Sequence, residues 1–146
     1  MRILGVDFGD RHIGLAVSDA LLITAQPFAT FVLKDVDADN RKYFRGLVRS
    51  QDIGEIVVGL PLRMDGSDGT RAEKTRAFAA WLKETVSLPV HFWDERLSTR
   101  QAAGIVREQK VRQKARKSVI NQISAAIILQ SFLDRRRTDA LGTQDS

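Results

Sequence analysis

Ile3-Leu4-Gly5-Val6-Asp7-Phe8-Gly9 is the stretch on which the reading of this chain turns. Residues 3 to 8 form an apolar run of the kind that fills a central strand covered on both faces, and Asp7 interrupts it. An unpaired carboxylate in such surroundings costs several kcal/mol or takes up a proton. The penalty falls if a cation stands against it, or if the strand opens onto a cleft at that point. A second acidic pair, Asp94-Glu95, closes another apolar run, Pro89-Val90-His91-Phe92-Trp93. Acids at the ends of two strands suggest a shared metal site.

Working outward, three strand-like segments open the chain: Ile3 to Phe8, Ile13 to Val17, and Phe28 to Leu33 after Pro27. Their short connections predict an antiparallel meander. Tyr43, Phe44, Leu47 and Val48 then recur at helical spacing, with Asp37 to Asn40 as candidate caps. Glu55 to Leu60 reads as a buried strand, Arg63 to Gly69 as a loop, and Arg71 to Val86 as an amphipathic helix. Pro89 to Trp93 is the fifth strand. Ser98 or Thr99 can cap a helix to about Gln109, and a last helix spans about Ser118 to Arg136. Thr138 onward is expected to fray, so the reading is one domain over residues 1–137 and a disordered tail over 138–146. The order βββ-α-β-α-β-α-α predicts an α/β fold with a mixed five-stranded sheet: three antiparallel strands, two parallel strands, and flanking helices.

The 146 residues suit one domain, and 43% hydrophobic with 28% charged residues is ordinary for a soluble protein. No apolar run approaches the roughly 18 residues that span a bilayer, and Asp7 breaks the first too early for a signal peptide. The absence of cysteine excludes disulfides and thiolate metal sites. A cytoplasmic protein without membrane association is the simplest expectation. The net charge of +5 points to a polyanionic partner.

Four stretches carry the chemistry. Asp94 and Glu95 point in alternating directions, so one of them should face the crevice at the sheet end. The plain alternative pairs Glu95 with Arg96 or Arg100 at the surface. Arg63, Ser67 and Arg71 follow the other parallel strand at that end and are candidate phosphate contacts, while Met64 reads as an apolar plug. Arg107, Lys110, Arg112, Lys114, Arg116 and Lys117 form a basic run that is either a solvated linker or a frame of positive charge around the acids. Arg135 to Arg137 reads as a charged helix end. In the last helix, Asn121 shares an apolar stripe with Ala125, Ile128 and Phe132, which should turn it inward where the helix meets the crevice. His12 and His91 read as structural.

Asp7-Phe8-Gly9 with Ile13-Gly14, Val58-Gly59-Leu60-Pro61 before Met64-Asp65-Gly66, Arg71-Ala72-Glu73-Lys74-Thr75, Asp94-Glu95-Arg96-Leu97-Ser98-Thr99 and Ser124-Ala125-Ala126-Ile127-Ile128-Leu129 together resemble the YqgF/RuvX family, from about Arg2 to Leu133. The resemblance implies an RNase H-like fold related to that of the Holliday-junction resolvase RuvC. It also implies a nuclease associated in bacteria with maturation of the 5′ end of 16S rRNA precursor. The family's acidic site maps onto Asp7, Glu95 and the start of the final helix, where an Asp is usual and this chain has Asn121. A site for Mg²⁺ or Mn²⁺ is then one negative charge short, unless Asp10 or Asp94 substitutes. The expected function is metal-dependent cleavage of structured RNA in ribosome biogenesis. Asp7, Glu95 and Asn121 are its catalytic and metal-binding residues, and pre-rRNA, alone or within ribosomal precursor particles, is the partner. The alternatives are a nucleic-acid-binding module that has lost its chemistry, or a resolvase of branched DNA. The chain is expected to be a monomer or a homodimer.

Overall fold

Alternating and continuous apolar runs build β1 (Arg2–Phe8), β2 (His12–Ser18) and β3 (Ala25–Val32), which follow one another directly. Then come α1 (Asp37–Ser50), β4 (Ile53–Leu60), α2 (Thr70–Val86), β5 (Val90–Asp94), a 3₁₀ turn at Glu95–Leu97 and α3 (Lys117–Gln144). This computed structural model describes residues 1–98 and 117–144, with the backbone alone at 117, 118 and 142–144. The helix expected from Ser98 or Thr99 lies outside the described residues, as do Arg100, Arg107, Lys110, Arg112, Lys114 and Arg116.

The sheet order is β3-β2-β1-β4-β5. β1 pairs antiparallel with β2, and β2 with β3; β4 lies parallel to both β1 and β5. This is the mixed sheet the element order predicts. β3 begins earlier than Phe28 and runs through Pro27. An edge strand tolerates a residue without an N–H, and the β2–β3 register shifts beside it, between Leu15 and Ala16.

Each sheet face has its own core. Leu4, Val6, Ile13, Leu15, Ile56 and Val58 meet Phe44, Leu47, Phe78 and Leu82 of α1 and α2. On the other face Ile3, Ala16, Val57 and Trp93 meet Ala125, Ala126, Ile128, Leu129 and Leu133 of α3. Glycine makes the second contact close. A methyl group built on Gly5 would stand 2.7 Å from Leu129 Cβ and 2.9 Å from the Ala125 carbonyl oxygen. One on Gly14 would strike the backbone of Asn121, and one on Gly59 would strike Ile128. α3 therefore rests on β1, β2 and β4 at three points cleared of side chains. Buried Gln130 fixes its position along the sheet, accepting from Ala25 N at 2.9 Å and donating to Ile23 O at 2.9 Å.

Three expectations are corrected here. α3 continues through Thr138 to Gln144, so most of the expected tail is helical. Arg136 consequently lies within the helix rather than at its end, donating to both Glu55 carboxylate oxygens at 3.0 and 2.9 Å while its guanidinium covers the Phe132 ring. Asn40 is buried and holds Lys34 through its side chain, rather than capping α1; the cap position is Val36.

Gly14→Ala should lower stability by about 1–3 kcal/mol, because the obstructing atoms are backbone and cannot rotate away. Gly46→Ala, in exposed helix with open space around it, should raise stability by about 0.5–1 kcal/mol. Urea unfolding of the two variants checks both, and an unharmed Gly14→Ala would contradict this account of how α3 seats.

Candidate active site

Side chains alternate along β1, so Ile3, Gly5 and Asp7 share the face toward α3 while Leu4, Val6 and Phe8 turn to the other core. Asp7 stands opposite Gly14 of β2. Gly14 is also where the backbone and Cβ of Asn121 press onto the sheet, in the early turns of α3. Glu95 begins the 3₁₀ turn after β5, and its Oε1 lies 2.8 Å from where a Gly59 methyl would be. The bare patch at Gly59 lets the Glu95 carboxylate lie across β4 on the Asp7 side of the sheet. The predicted stripe of Asn121, Ala125, Ile128 and Phe132 does face the sheet: Ala125 and Ile128 are buried and Phe132 stacks on His91.

The electrostatics follow from that placement. Burial pushes the Asp7 carboxyl up to about 6, against the pull of the Arg71 guanidinium. Glu95 is also raised above the ordinary carboxylate range, first by burial and then by the negative charge of Asp7, with Arg71 again opposing. Arg71, in the first turn of α2, donates through Nη2 to the Phe8 carbonyl at 3.3 Å. Two partly desolvated carboxylates, the charge of Asp7 disfavouring that of Glu95, form a donor pair that suits a hard divalent cation.

Asp94 turns the other way, as the alternation requires. Its carboxylate takes three bonds from the Arg96 side chain, at 2.7 to 3.1 Å, and one from the Arg96 N–H at 3.0 Å. Arg96 thus pairs with Asp94, not Glu95, and Asp94 is not free to replace a missing ligand. Asp10 is exposed and lies 3.8 Å from Lys74 Nζ. Arg63 stays within its own loop, its Nε near Gly69. Met64 is 96% exposed, so it plugs nothing. Ser67 is engaged with Asp65, donating through both N–H and hydroxyl. Lys117 opens α3, and the remainder of the basic run lies outside the described residues. His91 stands at the far end of β5, bonded to Glu55 at 2.8 Å. Among the described residues no three His, Cys, Asp or Glu side chains form a metal cluster, so any cation here would depend on Asn121, water or substrate for further oxygens.

Sequence reasoning weighed Arg96 only as a partner for Glu95, and it missed the work of the glycines. Gly14 reads locally as turn punctuation, yet its purpose is the contact with Asn121 across the sheet. The Arg96 fork is legible only as charge until the turn shows which acid it meets.

The architecture is that of RuvC-type resolvases, within the RNase H-like class. A solved structure of Thermus thermophilus RuvC with a Holliday junction substrate superposes with a TM-score of 0.63 at 17% identity, covering 94% of this chain and 96% of that one. The family model described as "RuvX: Holliday junction resolvase" matches residues 1–135, and the chain belongs to that family. Its relatives include a protein of Koribacter versatilis, 48% identical over 94% of this chain and 90% of that one, and a protein of Halothermothrix orenii, 46% identical over 92% and 95%. Both are named "Putative pre-16S rRNA nuclease".

The raised Asp7 carboxyl has a stability consequence in metal-free protein. Its favourable contribution is complete below the unfolded carboxyl's range near 4 and is lost as pH rises through 6. Asp7→Asn removes that loss, so in EDTA the variant should be more stable than the parent by on the order of 1–3 kcal/mol at pH 7.5. The gain should vanish by about pH 4. Denaturant titrations at both pH values measure it; a variant weaker than the parent at pH 7.5 would contradict the burial argument.

Proposed function

We propose that this protein is a metal-dependent phosphodiesterase that cleaves structured RNA in the cytoplasm, its substrate the 5′ end of 16S rRNA precursor. The observation that carries the reading is the desolvated pair of Asp7 and Glu95 at the ends of β1 and β5, on either side of β4, a costly arrangement unless a cation joins it. The names of relatives at 46 to 48% identity supply the substrate. The resolvase likeness supplies the fold alone.

Asp7 and Glu95 would hold Mg²⁺ or Mn²⁺, with Asn121 as a neutral oxygen donor. When bound, such ions supply charge to the scissile phosphate and lower the pKa of water. The chain's own contributions are distinct. Asp7 and Glu95 carry the negative charge that defines the site, and the packing of α3 and β5 keeps bulk water from their buried sides. Arg71 opposes the raised carboxyls in metal-free protein and would meet a phosphate oxygen of the substrate. Arg63 and the basic run from Arg107 to Lys117 would hold flanking phosphates, and binding should weaken steeply with salt.

Purified protein should cleave precursor RNA when Mn²⁺ or Mg²⁺ is added, and Asp7→Asn should reduce cleavage to background. Undiminished cleavage by that variant would reject the assignment. Asn121 favours a second reading, a binding module without chemistry; salt-sensitive RNA binding with no cleavage under any divalent ion would establish it. A four-way DNA junction in the same assay tests the branched-DNA alternative.

Asn121→Asp should raise manganese affinity roughly tenfold, the worth of about 1.4 kcal/mol for one added charge. Titration calorimetry reads this directly, and no gain would remove Asn121 from the ligand set.

A further inference from the structure

The loop over residues 63–69, between β4 and α2, is unusually well braced for an exposed segment. Arg63 N–H donates to Ser67 O at 3.0 Å and Gly66 N–H to Arg63 O at 2.8 Å, with Gly66 in the left-handed region at φ +88°. Ser67 N–H and Oγ both donate to Asp65 Oδ1, at 2.9 and 2.6 Å. These bonds shape the loop from within, and Arg76 of α2 ties its C-terminal side by donating to both Asp68 carboxylate oxygens at 2.7 and 3.2 Å; none of them holds the tip at Met64 and Gly66 to the sheet end.

Arg96 supplies the hold at the tip. Its Nη1 donates to the Met64 carbonyl at 3.1 Å, while Nε and Nη2 grip Asp94, whose Oδ1 also caps the 3₁₀ turn through Arg96 N–H. The guanidinium lies 3.5 to 3.9 Å from where a Gly66 side chain would start. One planar fork thus spans the turn that begins with Glu95 and the tip of the loop that carries Arg63 and Met64. An ammonium group has no such rigid fork and cannot reproduce this span.

We infer that Arg96 is a positioning residue that fixes the 63–69 loop to the Asp94–Glu95 turn, and so sets where the loop meets the substrate relative to the carboxylate site. The inference rests on the phosphodiesterase reading for its kinetic consequence, but not for its structural one. Arg96 does not touch the reacting atoms. Its turn is held independently by the backbone N–H bond to Asp94, so losing the side chain releases the loop tip, with Asp68 still held by Arg76, and leaves Glu95 in place. An exposed ion pair adds little to global stability, and the effect should be local.

The test uses the full chain with Arg96→Ala and Arg96→Lys. In metal-free protein, amide exchange at Gly66 and Ser67 should quicken by about tenfold in both variants, while β1 and β4 amides keep their parental rates. With Mn²⁺ and precursor RNA, both variants should show KM raised about five- to tenfold and kcat within about twofold of the parent. Unchanged loop exchange would overturn the proposal. So would a raised KM that Arg96→Lys restores, which would make Arg96 a direct phosphate contact. If the parent cleaves no RNA, the phosphodiesterase reading fails by itself, and the exchange result still decides the role of Arg96.

Discussion

Two carboxylates, delivered by separate strands to one half-buried spot, are the constraint around which this molecule is arranged. Neither Asp7 nor Glu95 is comfortable when charged: burial raises both, and the charge of Asp7 raises Glu95 further. Such a pair persists only where the surrounding structure fixes it. Here that structure is a central strand that cannot move without disrupting both cores, and a turn capped by Asp94. The pair costs stability in metal-free protein, a common balance in catalytic centres, and the proposed cation would offset that cost.

The glycines make the geometry attainable. An ordinary side chain at position 5, 14 or 59 would lift α3 off the sheet or push Glu95 aside. With those positions bare, Asn121 reaches the strand next to Asp7, and Glu95 lies across β4 beside them. Helix seating and site geometry are therefore one packing problem. A change at Gly59 bears on both, since its neighbours are Ile128 and the Glu95 carboxylate.

Much of this was legible in the chain. Asp7 stands out because it violates the pattern of its own strand, and the mixed sheet, antiparallel at one edge and parallel at the other, follows from connection lengths and apolar runs. The inward turn of Asn121 follows from helical periodicity. What could not be read depended on partners distant in sequence. Gly14 looks like a turn residue until Asn121 is found against it, 107 positions later in the numbering. Arg136 looks like a helix end until Glu55 is found to accept its fork. Met64 looks like core filler because hydropathy does not reveal that a braced loop holds it in solvent. Membership of the RuvX family agrees with the resemblance the motifs carry, while the metal and the roles of the site residues stand on the physical argument above.

Thermal unfolding of the intact protein during manganese titration, beside Glu95→Gln, tests the central claim most directly. If a cation joins the two strand-end carboxylates, manganese should raise the parent's Tm with saturation, and the variant should respond weakly or not at all. Equal shifts in the two proteins, or none in the parent, would contradict the account.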